Sequence, residues 1–211
     1  MLQWESDTVS RPRTSEKPEE PIIFLKPGSS LSHDGTSSIP LLAGKPVSKN
    51  MHYEAELVLL IGRDCQNVPL HNALSYVKGY GVGLDMTLRD VQMDAKKKGE
   101  PWLKCKGFKK SSLVSDFIPA DHILNPDMLA FELSLNGTVV QRGKPAMMLF
   151  DIASLISYLS YIYGLRAGDL LFTGTPEGVG KVDYGDMLHA GLFLHTSHGS
   201  TLLVTLDAVV T

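Results

Sequence analysis

Cysteine is scarce in this chain: Cys65 and Cys105 are the only two among 211 residues. Two thiols with no zinc-type spacing exclude a zinc ribbon and give no sign of an oxidising compartment. Charge of one sign is also lacking, with a formal net of −3. That balance gives no electrostatic basis for binding nucleic acid or an anionic membrane surface. No apolar run approaches the roughly 20 residues of a membrane span. The first residues, Met1 to Asp7, lack the basic-then-apolar pattern of a signal peptide. The expectation is a cytoplasmic protein with neither nucleic acid nor membrane as partner. No internal repeat is visible. What remains is an ordinary globular composition, 43% hydrophobic, in a chain long enough for one domain with a substantial core.

Against that background one stretch stands out, His52 to Gly62. After Glu56 it is purely aliphatic up to a glycine, with no helix cap or breaker, and reads as a buried strand. Glu54 and Glu56 precede the run. Side chains alternate along a strand, so the two carboxylates share a face, roughly 7 Å apart along the chain. They either face water on an edge strand or, if drawn inside, require a cation or a shared proton. A second apolar segment, Tyr80 to Asp90, runs into a single acid, Asp85, flanked by Leu84 and Met86. Asp is almost never fully buried without a partner. A third carboxylate meeting the first two would complete an all-oxygen site for Mg²⁺ or Mn²⁺.

The rest of the chain is consistent with a mainly β domain. Residues 1–20 are rich in Ser, Thr, Pro, Glu and Arg and read as a flexible or extended lead-in to a single domain over 21–211. Ile22 to Leu25 is a short strand ending at Lys26-Pro27-Gly28. Residues 28–50 form a long unpatterned loop, of a kind that is usually functional or disordered; His33 within it reads as a solvated side chain. Pro69 to Val77 has helical spacing. Arg89 to Lys98 reads as a helix closing at Gly99, its three terminal lysines matched to the helix dipole. Lys104 and Lys106 are expected on one face of an extended segment, with Leu103 and Cys105 on the other. Phe131 to Gln141 is a hairpin with an Asn-Gly turn, and Phe150 to Tyr163 a core-facing helix ending before Gly164. A strand after Leu165 enters the glycine-rich loop Thr173 to Gly180, whose N–H groups could hold an anion. It is not a P-loop, since no Gly-Lys-Ser/Thr closes it. Alternating segments over Leu192 to Val210 finish the chain as strands.

Taken in order, FLKPGSS, HYEAELVLLIG, GYGVGLDMTLRDVQ, KKKGEPWLKCKGF, the Asn-Gly hairpin followed by Gln141, LRAGDLLFTGTPEGVG and YGD resemble the fumarylacetoacetate hydrolase family over about residues 20–211. The flavour is similar to its small acylpyruvate hydrolase and oxaloacetate decarboxylase branch. The resemblance implies an α+β, mainly β fold, a mixed β-sandwich roll, and usually a homodimer. It implies Mg²⁺ or Mn²⁺ held by Glu54, Glu56 and Asp85. It further implies that Lys106, rather than Lys104, contacts substrate, that Gln92, Thr175 and Gly174 line the pocket, and that Arg89 and Asp90 give structural support. Substrates would be small 2-keto dicarbonyl acids, and the reaction C–C hydrolysis, decarboxylation or enol–keto isomerisation. One departure matters. Members of this branch carry a water-activating His and, three residues on, a Glu upstream of the FLKP strand. The corresponding positions here are about Val9 and Pro12, neither of which can transfer a proton. Hydrolysis is the reaction most exposed to that loss, and a catalytically impaired metal-binding relative is the alternative expectation.

Overall fold

The computed structural model describes residues 2–5 and 18–211. β-Branched and aliphatic runs punctuated by Gly, Pro and Asn give a strand-rich chain. The first half supplies β1 (Leu2–Glu5), β2 (Ile22–Leu25), β3 (Thr36–Ser37), β4 (Leu41–Leu42) and β5 (Lys45–Pro46). It continues with β6 (Met51–Tyr53), β7 (Ala55–Ile61), β8 (Val77–Asp85) and β9 (Thr87–Leu88). Helices α1 (Arg89–Lys98) and α2 (Leu103–Lys106) follow, then β10 (Ser112–Val114) and β11 (Ile118–Pro119). The second half carries β12 (Leu129–Leu135), β13 (Thr138–Gly143), α3 (Ile152–Ile162), β14 (Leu170–Phe172), β15 (Gly180–Lys181), β16 (Met187–Thr196) and β17 (Gly199–Val210).

Two sheets dominate. The larger runs β10-β8-β7-β14-β1-β2, with β11 also on β8; the smaller runs β13-β12-β16-β17-β3. Both are mixed, since β1 is parallel to β14 and β17 parallel to β3 while their other pairings are antiparallel. The sheets face each other, β12 and β13 lying against β7, and β16 and β17 against β8. One continuous apolar core fills the space between and around them, and it includes Leu57, Leu59, Leu84, Leu133, Leu192 and Leu155. β7 and β8 are buried along nearly their whole length, which is why they read as aliphatic runs rather than as alternations.

Several sequence expectations take a definite form. Asn136 and Gly137 both have positive φ, 51° and 82°, the geometry that a tight two-residue hairpin requires. α1 ends at Gly99 in the left-handed region, and Asp151 caps α3 by accepting from the Ser154 N–H. The Pro69–Val77 stretch is a 3₁₀ turn over Leu70–Tyr76. Residues 28–50 are ordered by a 3₁₀ turn and short strand pairs, and His33 is exposed there. Within the expected lead-in, Leu2–Glu5 is an extended strand between β14 and β2. The segment carrying Lys104 and Lys106 departs from expectation: it is helical, not extended. Two helical steps turn the chain by about 200°, so Lys106 is buried with Cys105 while Lys104 is exposed. The period-2 pattern was accidental over so short a segment.

Candidate metal centre

Glu54 lies in the break between β6 and β7, Glu56 on β7, and Asp85 at the end of the adjacent β8. The antiparallel register sets Ala55 opposite Leu84 and Glu56 opposite Gly83, and the Asp85 N–H donates to the Glu54 carbonyl at 2.8 Å. Gly83 is required for that register. A Cβ there would stand 2.6 Å from Val58, 2.8 Å from Phe172 and 2.9 Å from the Leu113 carbonyl. The three acids are at most 1% exposed, and one oxygen from each lies within 4.8 Å of the others. The edge-strand alternative is thereby removed.

Buried carboxylates this close need compensation. Lys106 places its ammonium 2.5 Å from Glu54 Oε2 and 2.6 Å from Asp85 Oδ2. Arg89 reaches Glu54 Oε1 at 3.3 Å and donates to Gln92 Oε1 at 2.8 Å, so Gln92 joins the cluster through Arg89. Asp90 faces away, accepting from Ser48 and from the Lys49 N–H. Gly174 donates its N–H to Glu56 Oε2 at 2.6 Å. Thr175 Oγ1 donates to the Ala55 carbonyl at 2.8 Å and accepts from Gln141. Gly174 and Thr175, expected to line the pocket, thus engage a candidate metal ligand and the Ala55 backbone next to it.

Burial, and then the charges of Asp85 and Glu54, push the Glu56 carboxyl well above its usual range; Lys106 and the Gly174 N–H pull it back. The neighbouring His52 is held down to about 4, by burial first and then by Arg89 and Lys181, and so is neutral near pH 7. Three hard oxygen donors, one of them resisting ionisation for want of positive charge, fit a divalent cation of the Mg²⁺ or Mn²⁺ type.

Two residues of the cluster lie within the family-like motifs but were not assigned to the site from sequence. Lys26 is fully buried, donates to Asp85 Oδ1 at 2.6 Å and also to the Lys106 carbonyl. Burial lowers its pKa, and Asp85 works against that shift. The signal was present: Lys26 extends the buried face of Phe24 by one step of two. Gln141, 2% exposed, is the other; a lone Gln on a hairpin strand gives no local sign of burial. Val9 and Pro12, the positions corresponding to the family's proton-transfer pair, lie outside the described residues.

Comparison with known proteins agrees with this geometry. The human oxaloacetate tautomerase FAHD1, named as mitochondrial, is 43% identical over 173 residues, covering 82% of this chain and 76% of the relative. The bovine protein of the same name is 42% identical over 182 residues, covering 86% and 80%. A crystal structure of fumarylpyruvate hydrolase from Pseudomonas aeruginosa, in complex with Mn²⁺ and pyruvate, superposes with a TM-score of 0.79 at 32% identity, covering 100% of this chain and 87% of that one. The sequence profile of the fumarylacetoacetate (FAA) hydrolase C-terminal family matches residues 3–210. With buried acids at the register of two central strands and a profile match over nearly its full length, this chain belongs to the fumarylacetoacetate hydrolase family of enzymes.

Proposed function

We propose that this chain interconverts the enol and keto forms of small 2-keto dicarboxylic acids of the oxaloacetate type, using Mg²⁺ or Mn²⁺ held by Glu54, Glu56 and Asp85. The observation that carries this reading is the buried triad of carboxylates with the Lys106 ammonium set against two of them. The relatives named oxaloacetate tautomerase support the substrate class.

Tautomerisation moves one proton between oxygen and carbon, so it needs neither a nucleophile nor an activated water. When bound, a divalent cation supplies positive charge that stabilises the enolate oxygen as it develops. Lys106 adds a second positive charge, from a buried position where water does not screen it, and attracts a substrate carboxylate. Arg89 donates to the Gln92 side-chain oxygen, which fixes the Gln92 amide beside the cluster, its nitrogen a donor for substrate. Gly174 and Thr175 act through Glu56 and the Ala55 backbone.

Hydrolysis of acylpyruvates is the second reading, favoured by the likeness to the fumarylpyruvate hydrolase. It requires a water-activating base, and the expected positions for that base carry Val9 and Pro12. Decarboxylation of oxaloacetate would call on the same positive charge, that of Lys106 and of a cation held by Glu54, Glu56 and Asp85. A homodimer and a single catalytic unit over residues 21–211 complete the proposal. Among the described residues no helix is long and apolar enough to cross a membrane. The cytoplasmic expectation gains no support from the mammalian relatives, whose names place them in mitochondria.

The test follows the ultraviolet absorbance of enol-oxaloacetate with purified protein in Mg²⁺, in Mn²⁺ and in chelator, with acetylpyruvate in parallel. Chelator-sensitive acceleration of enol loss is expected. Faster cleavage of acetylpyruvate would favour the hydrolase reading, and no turnover despite bound Mn²⁺ would favour an impaired relative.

A further inference from the structure

β7 is paired on one side by β8 throughout, but on the other side β14 stops. Its last ladder pair is Phe172 with Val58. Thr173 adds one more contact, its N–H and its hydroxyl both donating to the Leu57 carbonyl at 3.1 and 2.9 Å. Beyond that point, among the described residues, the Ala55 peptide, set between the first two candidate ligands, has no strand on the side away from β8. A buried N–H and C=O left this way would be costly.

Side chains stand in for the missing strand. Gln141 Oε1 accepts from the Ala55 N–H at 2.9 Å, and Thr175 Oγ1 donates to the Ala55 carbonyl at 2.8 Å. Gln141 Nε2 closes the circuit by donating to Thr175 Oγ1 at 2.8 Å and to the Pro176 carbonyl at 3.1 Å. The Gln141 amide and the Thr175 hydroxyl together thus do for Ala55 what a neighbouring strand does in a ladder, and Gln141 ties the loop that holds Glu56 through Gly174 to the same point. A β-bulge aims it. On β13 Gln141 pairs with Leu133 and Val139 with Ser134, leaving Val140 as the extra residue, and bulges redirect the side chain beside them. The loop closes onto that bulge: Gly178 has φ of +100°, and a Cβ there would stand 2.4 Å from the Val140 carbonyl.

We propose that Gln141 is a positioning residue for the metal centre, fixing the spacing and orientation of Glu54 and Glu56 through the Ala55 peptide and the Gly174–Pro176 loop, although it belongs to the other sheet. The inference rests on the reading that these two acids hold the cation.

Mn²⁺ titration calorimetry and Mn²⁺ electron paramagnetic resonance on the full chain test it, with Gln141→Met and Gln141→Glu compared with wild type. Both variants lose the donor to Thr175 and Pro176, and the first also loses the acceptor for Ala55. The expected result is Mn²⁺ affinity weaker by about 10- to 100-fold, the usual effect of removing a partner that orients a ligand, with an altered resonance lineshape. Thr175→Val, which removes the other grip on Ala55, should act in the same direction, and the Gln141→Met/Thr175→Val double variant should lose less than the sum. A folded Gln141 variant with wild-type Mn²⁺ affinity and a lower Tm in chelator would overturn the proposal, leaving Gln141 a structural residue only. Failure of both Gln141 variants to fold, with unchanged Mn²⁺ affinity in Thr175→Val, would overturn it equally. Absence of Mn²⁺ binding in wild type would instead sink the metal reading itself.

Discussion

The two sheets carry ion pairs of nearly equal length in opposite surroundings. On the five-stranded sheet Arg142 meets Glu132 at 2.7 Å and the His189 ring shares a hydrogen bond with Asp207 at 2.6 Å, all of them well exposed. Against the seven-stranded sheet, at the end of β8, Lys106 meets Glu54 at 2.5 Å and Asp85 at 2.6 Å, and Lys26 meets Asp85 at 2.6 Å, all at most 1% exposed. Distance alone does not separate these pairs; solvent does. Water screens the exposed pairs to roughly 0–1 kcal/mol each. The buried ones are a liability unless every charge stays matched, so their persistence in an otherwise aliphatic layer points to chemistry rather than to stability.

The largest expected effect is at the centre of the buried set. Glu56→Ala removes one proposed ligand and should reduce Mn²⁺ affinity at least ~100-fold while the protein stays folded; unchanged affinity by calorimetry in a folded variant would remove Glu56 from the site. Lys106→Ala leaves Glu54 and Asp85 short of a cation. Chelated protein should lose about 3–5 kcal/mol of stability, part of it regained with Mn²⁺, and KM for a keto-dicarboxylate should rise more than kcat falls. A denaturant titration in chelator showing no loss would mean that water already compensates those acids.

A pH series sharpens the contrast further. The Glu56 carboxyl is raised in the folded state, so its contribution to stability is full below its ordinary value near 4.5 and is lost as pH rises through the raised value. His52 works oppositely. Held down to about 4 from 6.5, it contributes stability above about 6.5 that is lost as pH falls toward 4. Glu56 is therefore read from Glu56→Gln against wild type, both in chelator. The wild-type Tm should fall relative to the variant as pH rises, and Mn²⁺ should remove the difference. Parallel curves would show that Glu56 ionises without penalty. The smallest effect belongs to the exposed sheet: Arg142→Ala should change stability by no more than about 1 kcal/mol, and a larger loss of Tm would mean that this face is not open to water.

How much of this was legible depended on whether a residue's setting is local. Glu54, Glu56 and Asp85 could be singled out because acids at the mouth of or within an aliphatic stretch are awkward to place. Their pattern left an exposed edge strand open until the family resemblance and the fold removed it. The Asn136-Gly137 hairpin was legible because turn geometry selects its residues. Lys106 was singled out from the motif but placed on an extended segment, since four residues of helix and four of strand cannot be told apart by period. Lys26 and Gln141 were missed as site residues because their partners lie 59 and 86 positions away. Strand β1 was missed because its neighbours, not its own pattern, make it a strand.

The separation between Glu56 and Gly174, 118 positions, bears on the order of events during synthesis. A ribosome releases the acidic segment long before it makes the loop that fastens it, and Gln141 emerges in between. Long-range pairings of this kind form late, after the entropy of closing the intervening chain has been met. Until then the carboxylates remain hydrated, and the nascent chain has acids but no rigid site. Cation uptake by these three acids would thus be a property of the finished protein, and a half-made copy a poor competitor for a divalent ion.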